Sequence, residues 1–578
     1  MNDPKDVNHG PQTLIVSESE EVSLPPAFRP ELEKVLQTRG KERLELILSS
    51  PHAQPLVRAL PPLEIFMTVQ ELGKADSLEL LSLASPEQFQ SLIDFDVWRE
   101  DRLAPEKGLE WIEILLQDDE DRLNQWIESV DPEFIVLLLK KYIQVTKQEY
   151  PLEEKPEEPP GFSLDQLYWI HFKDERAARV LGEFLRKVLA LNPQLYRKFM
   201  EGAIWELESE LEEFEFRWRN GRLADLGFPS YDEALEIYRF LNPKTMLLEG
   251  NVKWEAEIPP NQVWPRFDLI SPGHGPFFLS TLAGIEDPAE QDRLKFELAA
   301  LANKAIVLEC QEGFSLEGIE RGGRKVFHYL NLGLQVLCQE KKTDPREILR
   351  SIPLLRIFQS AFGATLLLRK RAEILFRGPW FQRDRDNLSF LDSPHREILE
   401  GMLRKRPAFY RDGQYEDFQD LSDLQEAEAL LEMIAAATHL FIDRLGLSPE
   451  TIKAQDWSAC HPCHWQEITL STIFLTTLGN GILNGNFRFE AIDRKHLPSF
   501  LHHFFEGSPG GPRRVKNEVK NAVSQWLASA AKGQKRRHSL ERFAEYSFQV
   551  LEENFGGIPP DGLGEPKFTK GLSIRLGP

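Results

Sequence analysis

The sequence predicts an all-α protein made of several helical units, and three observations carry that expectation. One is punctuation: Ser85-Pro86, Asp131-Pro132, Asp287-Pro288, Asp344-Pro345, Ser393-Pro394 and Ser448-Pro449 each precede a run of helical periodicity. Ser or Asp caps the free amides of a first turn, and proline suits the first helical position because its missing N–H costs nothing there. Gln88, Glu290 and Glu347 add the acid or amide of a capping box. The second is spacing. Leu109, Ile112 and Leu116 share a helical face, as do Leu123, Trp126, Ile127 and Val130, and Phe134–Leu139 is apolar all round, as an internal helix would be. The third is the brevity of the loops between 25 and 148, which points to stacked antiparallel helix pairs.

In chain order, residues 1–24 are polar and acidic and are expected to form a disordered arm. A superhelical unit follows at 25–148. A Pro- and Glu-rich linker, YPLEEKPEEPPGF, lies within 149–162, and a second helical unit spans 163–247. In that unit Glu213/Arg217 and Glu215/Arg219 stand four apart, the spacing of a solvated, ion-paired helix face. Residues 248–285 turn rich in Pro and Gly. Val252, Trp254, Ala256 and Ile258 alternate there, which predicts a loop with a short hairpin. Helices resume at 286–445, a C-terminal helical region forming a bundle runs over 446–555, and 556–578 is a Gly/Pro-rich tail.

Around Trp98 the chain carries a dense acidic-aromatic turn with Asp94, Asp96, Asp101 and Glu106. Carboxylates in such number can bind a divalent cation or work as acid and base. Caps and turn carboxylates paired with Arg99 and Arg102 are the simpler expectation, with the tryptophans anchoring helix packing. The pattern Trp98-Arg99-x-x-Arg102-Leu103 returns as Trp218-Arg219-x-x-Arg222-Leu223, an echo that predicts a duplication of the first unit in the second.

Composition limits the function classes. The 578-residue chain is 41% hydrophobic and 28% charged, ordinary for a globular protein long enough to bury several cores. A net charge of -23 argues against a broad nucleic-acid surface and against binding to anionic membranes. The N-terminus shows no signal-peptide pattern, and the apolar stretches near 353–368 and 469–483 are too short and too interrupted for a bilayer span. Four cysteines form no disulfide framework, so a cytoplasmic protein is expected.

Three stretches, LASPEQFQSLIDFDVW, SELEEFEFRWRNGRLADLGFPSYDEALEIY and LLRIFQSAFGATLLLRKRA, resemble a bacterial family known only as a domain of unknown function. The resemblance covers roughly residues 28–500 and implies no activity, cofactor or catalytic residue. The rhythm of 60–88 is also similar to the superhelical domains of magnesium transporters and flagellar switch proteins, a likeness that concerns fold alone.

The sharpest chemical motif is Cys460-His461-Pro462-Cys463-His464. Its spacing fits covalent haem attachment, which is normally an extracytoplasmic chemistry and so sits badly with the missing export signal. It also fits a zinc knuckle. Two thiolates and His464 would then need help from elsewhere, with His496, His502 and His503 as candidates, because five consecutive residues cannot supply four tetrahedral ligands. It fits equally a loop bearing two reduced thiols. Ser271–Pro276 and Gly318–Lys325 are Gly-rich but lack the P-loop pattern. No nucleophile-elbow, zincin or dinucleotide fingerprint occurs. The basic stretch from Arg513 to Arg537 reads as a docking patch for an acidic partner or RNA, as a solvated helix with a basic loop, or as an internal partner of the acidic N-terminal half. The expectation is a non-catalytic binding or scaffolding protein with protein partners, and the alternative is a metal-dependent enzyme or sensor at Cys460–Cys463.

Overall fold

Five of the six Ser-Pro and Asp-Pro pairs start helices through the side chain of the first residue. Ser85 closes a full capping box with Gln88, and Ser448 closes one with Thr451 in place of an acid or amide. At Ser393-Pro394 the helix begins one residue later and has no side-chain cap. The computed structural model describes residues 28–117, 120–147, 161–246, 276–507, 513–531, 533–558 and 570–576. Among them run 25 α-helices and 11 short strands, which makes the protein all-α. The expected arm at 1–24, the alternating segment at 252–258, the Gly-rich loop at 271–275 and most of the 149–162 linker lie outside the described residues.

The chain divides into two compact units. Of the described residues, unit 1 takes everything up to Tyr231 together with Ala302–Gly322, and unit 2 takes the rest. The segments 25–148 and 163–231 thus fall within one unit.

In unit 1 the helices are α1 (Arg29–Leu36), α2 (Gly40–Ser49), α3 (Ala53–Ala59), α4 (Pro62–Leu72), α5 (Leu78–Leu83), α6 (Pro86–Asp96), α7 (Pro105–Gln117), α8 (Glu120–Ser129), α9 (Pro132–Tyr142), α10 (Glu175–Leu191), α11 (Pro193–Trp205) and α12 (Glu208–Asp225). Near neighbours pack together: α2 on α4, α4 on α6, α7 on α10, and α9 on α11 and α12. The core is aromatic at its centre, where Phe66, Phe95, Trp98, Trp111, Phe134, Phe184 and Phe199 are fully buried. Two antiparallel hairpins interrupt the helices. β1 (Trp98–Arg99) pairs with β2 (Arg102–Leu103) across a turn in which Glu100 takes a positive φ of 53°. β3 (Ile143–Lys147) pairs with β4 (Tyr168–Phe172), Ile143 opposite Phe172 and Lys147 opposite Tyr168.

Unit 2 begins with α13 (Tyr231–Ala234), whose first residue belongs to unit 1. The helices that follow are α14 (Pro276–Ala283), α15 (Pro288–Glu309), α16 (Leu316–Lys341), α17 (Pro345–Ser351), α18 (Leu354–Arg377), α19 (His395–Met402), α20 (Leu421–Leu445), α21 (Pro449–Lys453), α22 (Leu470–Asn484), α23 (Leu497–Phe504), α24 (Asn517–Ala530) and α25 (Gln534–Phe555). The α15 residues from Ala302 onward and the α16 residues up to Gly322 belong to unit 1. Helix α14 was not anticipated: it lies where the sequence suggested loop. The long helices pack in series, α18 on α20, α20 on α25 and α25 on α22. Glycine admits another segment against α18: a Cβ at Gly363 would overlap the carbonyl oxygen of Leu241, in the non-helical stretch before residue 247. The hairpin β5 (Phe409–Arg411) with β6 (Gln414–Glu416) and the pair β9 (Phe505–Glu506) with β10 (Arg514–Val515) are peripheral two-stranded pieces. In a third, β11 (Ile574–Arg575) pairs antiparallel with β7 (Cys460–His461) and parallel with β8 (Ile492–Asp493).

No single helix among the described residues is long and apolar enough to cross a membrane. Helices α17 and α18 pass by length and composition only as a pair bent by 115°, and much of α18 is buried in the unit 2 core.

Candidate functional site

Helix α12 is the element that departs most from ordinary amphipathic design. It is rich in Glu, Leu and Arg, all good helix formers. Glu208 and Glu210 in the first turn and Arg222 in the last complement the helix dipole. Its buried positions are Leu211, Glu215, Arg219 and Leu223, so charge occupies half of the inward face. Leu207, Phe214 and Trp218 face outward, 59%, 55% and 59% exposed.

The inward charges meet residues from two other helices. Arg222 grips the Asp94 carboxylate at the end of α6 bidentately, Nε to Oδ2 at 2.7 Å and Nη2 to Oδ1 at 2.9 Å. Arg219 donates from Nε to the Asp94 carbonyl oxygen at 2.8 Å and lies over the Trp98 ring. Burial pulls the Arg219 guanidinium down to about 10. Asp131 caps α9 by accepting from the Glu133 N–H, and it stands 3.7 Å from Arg222 Nη1. Glu215 is fully buried. No N–H or hydroxyl donates to either of its oxygens, and Arg222 Nη2 is 3.7 Å away. Burial, then the neighbouring Asp131 charge, pushes the Glu215 carboxyl up to about 9. Burial raises Asp131 as well. Asp131 is the neighbour that raises Glu215 most after burial, and a protonated Glu215 carboxyl is the partner able to donate to it. The cluster thus sets two arginines, Arg219 and Arg222, among three acids, Asp94, Asp131 and Glu215.

A second buried acid lies two residues from the first. Asp96 accepts from Trp111 Nε1 at 3.0 Å and pairs with Lys74 at 2.7 Å and Lys107 at 2.6 Å. Burial alone would raise this carboxyl; Lys74 and Lys107 outweigh it and hold it below the usual range. Asp94 and Asp96 therefore find distant cations. Of the expected pairings with Arg99 and Arg102, that of Arg99 with Glu106 forms, at 3.9 Å, while Arg102 lines an open cleft of about 680 Å³ with Lys141, Glu208 and Glu212. Lys141 pairs with both of those glutamates, so the cleft's charges satisfy one another.

The two Trp-Arg-x-x-Arg-Leu segments have different local structures. The first is the β1–β2 hairpin with Trp98 1% exposed, and the second is the interior of α12 with Trp218 on the surface. They pack against each other, Arg219 over Trp98 and Phe216 beside it. The expected pairing of Glu215 with Arg219 is also replaced, because both turn inward; Glu213 and Arg217 form the expected exposed pair at 3.1 Å.

The cysteine motif lies in unit 2. Cys460 is buried on β7, opposite Arg575 of β11, and burial raises its thiol. Cys463 is exposed. His464 turns its Nδ1 to accept from the Gln466 N–H at 3.3 Å. His502 and His503 stand in the last turn of α23, with His503 Nδ1 against the Ser499 carbonyl oxygen. His496 ends a short 3-10 turn before that helix. Among the described residues no three His, Cys, Asp or Glu side chains stand close enough to hold a metal ion. The basic stretch is paired inside unit 2: Lys520 with Glu545, Lys535 with Glu432, Arg536 with Asp443 and Arg537 with Glu541, while Arg513 donates to the carbonyls of Phe555 and Gly556. An apolar pocket of about 370 Å³ between α18 and α20 is lined by Leu375, Trp380, Leu431 and Ala435.

Sequence reasoning singled out Asp94, Asp96, Arg219 and Arg222, but it missed Asp131, Lys74 and Lys107 as their partners and missed the outward turn of Trp218. The one available signal was α12's own pattern, in which apolar and charged residues do not segregate with the helical period in the usual sense. No curated protein and no solved structure matches this chain. The profile of one family matches residues 19–575 of the 578, and on that match the chain belongs to DUF6178, a family of unknown function.

Proposed function

We propose that this is a non-catalytic binding protein of the cytoplasm, and that it docks a protein partner on the outward face of α12 in unit 1. The observation that carries this reading is the exposure of Leu207, Phe214 and Trp218 on a helix whose inward face is charged. They recur at positions 0, 7 and 11 of one helical stripe and together expose on the order of 300–400 Å² of apolar side chain. The largest apolar patch on a typical monomer is of about this size and is often functional. Tryptophan and phenylalanine are also the residues that carry binding energy at interfaces.

The buried acid pair does not point to catalysis. Glu215 has no exposed surface, and the cleft along α12 is lined by Glu208 and Glu212, not by Glu215 or Asp131. The charges serve to fix the helix. The test is site-specific photocrosslinking in the native host, with a photoreactive amino acid at Trp218 or, as control, at Lys41, whose side chain is 82% exposed on α2. A discrete crosslinked protein at Trp218 and none at Lys41 is expected. Equal or absent crosslinking at the two positions would end the proposal.

A further inference from the structure

We infer that the loop after α19 is a further docking surface, in unit 2, and that Arg404, Lys405 and Arg406 on it grip a short acidic peptide segment of another protein. The inference does not depend on the α12 face.

Three successive cations stand there without an acid. The chain holds 92 acidic residues against 69 Lys and Arg, and the arginines around this loop find carboxylates. Arg369 and Arg377 pair with Glu373, Arg396 with Glu400, and Arg411 with Glu416 and Asp423. Among the described residues, Arg404, Lys405 and Arg406 pair with no carboxylate, and their side chains donate to no other oxygen. Glu400, four residues before Arg404, is taken by Arg396 at 3.1 Å and by the Tyr415 hydroxyl at 3.4 Å. Arg404 and Lys405 are exposed and Arg406 is half-buried.

Cations just past a helix complement its dipole, and that alone would explain them if they swung freely in water. Two of them are held. The Arg404 guanidinium carbon lies 3.5 Å from the centre of the Tyr415 ring, and that of Arg406 lies 4.0 Å from the centre of the Tyr238 ring. Both rings are anchored, Tyr415 on β6 against Tyr410 and Tyr238 against Phe358 and Phe362. Stacking holds a guanidinium by its face and leaves its N–H edge uncommitted. The backbone is held as well. Arg369 Nη1 donates to the Lys405 carbonyl oxygen at 3.1 Å. The N–H groups of Arg404 and Ala408 both donate to the Gly401 carbonyl oxygen, at 3.2 and 3.1 Å, and close the loop at its neck. Glycine is needed there, because a Cβ at Gly401 would overlap the Ala408 carbonyl oxygen. The ordering that usually weakens a surface ion pair is thus already done before a partner arrives.

The chemistry of the partner follows from the free edges and from the rest of the chain. A guanidinium edge fits two oxygens of one anionic group, as a carboxylate presents them. The net charge of -23 repels an extended polyanion, whether nucleic acid or anionic bilayer, wherever it runs beyond this loop. A short segment bearing a few Asp or Glu side chains meets the loop and little of that field, since exposed charges more than about 8–10 Å apart are largely screened.

The experiment is fluorescence anisotropy of rhodamine-labelled octaglutamate, octaserine and a short oligothymidylate titrated with the full chain, with circular dichroism of each variant to check the fold. Saturable binding of octaglutamate and not of octaserine is expected, weakening as salt is added. Arg404→Gln with Arg406→Gln should weaken it about tenfold or more. Lys520→Gln with Arg537→Gln removes the same charge from cations paired with Glu545 and Glu541, and should weaken it less than about twofold. Arg404→Lys with Arg406→Lys keeps the charge but loses the stacked fork, and should bind more weakly than the parent. A parent that does not bind octaglutamate overturns the inference, as does equal loss in the two Gln pairs, which would put binding on overall charge. A Lys pair as tight as the parent overturns it too, because the tyrosine-held forks then contribute nothing. Oligothymidylate bound more tightly than octaglutamate would overturn the peptide and assign the loop to nucleic acid.

Discussion

Replacing Glu215 by glutamine is the most direct test of the buried charge balance in unit 1. Glutamine keeps the size of a protonated glutamic acid and keeps a donor for Asp131, but it cannot ionise. Glu215 starts from an ordinary value of 4.5 and is pushed up to about 9 by burial and by Asp131. The folded protein therefore holds a proton that the unfolded chain has released. Stabilisation from this proton is complete below pH 4.5, fades as pH rises, and is gone above about 9. Each pH unit in that window removes about 1.4 kcal/mol, so the full shift is worth about 6 kcal/mol. Local rearrangement and sharing of the proton with Asp131 reduce this, and about 3 kcal/mol is the expected loss for the unsubstituted protein between pH 5 and pH 9. Glu215→Gln should flatten that slope, matching the parent at pH 5 and exceeding it at pH 9. Urea unfolding at several pH values measures the slope, and hydrogen exchange in α9 and α12 assigns it to unit 1, since a chain of two units need not unfold in one step. A parent stability that is flat from pH 5 to 9, or a Gln variant weakened equally at every pH, would refute the reasoning.

Three further outcomes follow from the packing. Arg222→Met leaves Asp94, with 2% of its side chain exposed, without its bidentate partner and should cost unit 1 about 3–5 kcal/mol, read by the same exchange experiment; a loss below about 1 kcal/mol would mean that water reaches the acid. Gly363→Ala drives a methyl group into the Leu241 carbonyl oxygen, which cannot retreat as a side chain would, and should lower the stability of unit 2 by about 3 kcal/mol in urea unfolding. The metal reading of Cys460 and Cys463 predicts that purified protein carries zinc and that Cys460→Ser with Cys463→Ser releases it along with stability. Among the described residues no further His, Cys, Asp or Glu ligands converge on the pair, so elemental analysis is expected to find no stoichiometric zinc and the double variant to unfold at the parent's urea midpoint.

What the sequence disclosed was what depends on neighbours in the chain. Ser85, Asp131, Asp344 and Ser448 were legible as caps because a cap bonds to an amide two or three residues on. The burial of Leu123, Trp126, Ile127 and Val130 was legible because one helical period set it. Ser393 failed as a cap although it carries the same signature, and the helix there starts at His395. The charged cluster could not be read, because its members are far apart in sequence. Arg222 meets Asp94 and Asp131, and Lys74 reaches Asp96 from before α6. Local rules paired the carboxylates around Trp98 with Arg99 and Arg102, the nearest cations in the chain, which holds for Glu106 with Arg99 but not for Asp94 and Asp96, and they assigned Glu215 to Arg219, the nearest on the helix. Tertiary structure offered closer partners and overrode both.

The inversion of α12 follows from the same cluster. On apolar area alone, the helix would gain by rolling until Phe214 and Trp218 faced the core, at roughly 2 kcal/mol for each large side chain buried. Rolling would carry Arg219 and Arg222 away from Asp94, which stays fixed at the end of α6 and almost wholly buried. An unpaired buried carboxylate costs about 3–5 kcal/mol, and Asp131 would lose its cationic neighbour as well. The two penalties together equal or exceed what the two aromatics would gain, so charge sets the rotation of the helix and the aromatics are left outside. An outward Trp218 is therefore no accident of a loosely held helix. It is presented by a buried network that holds α12 in one orientation, as an interface with a defined partner geometry needs.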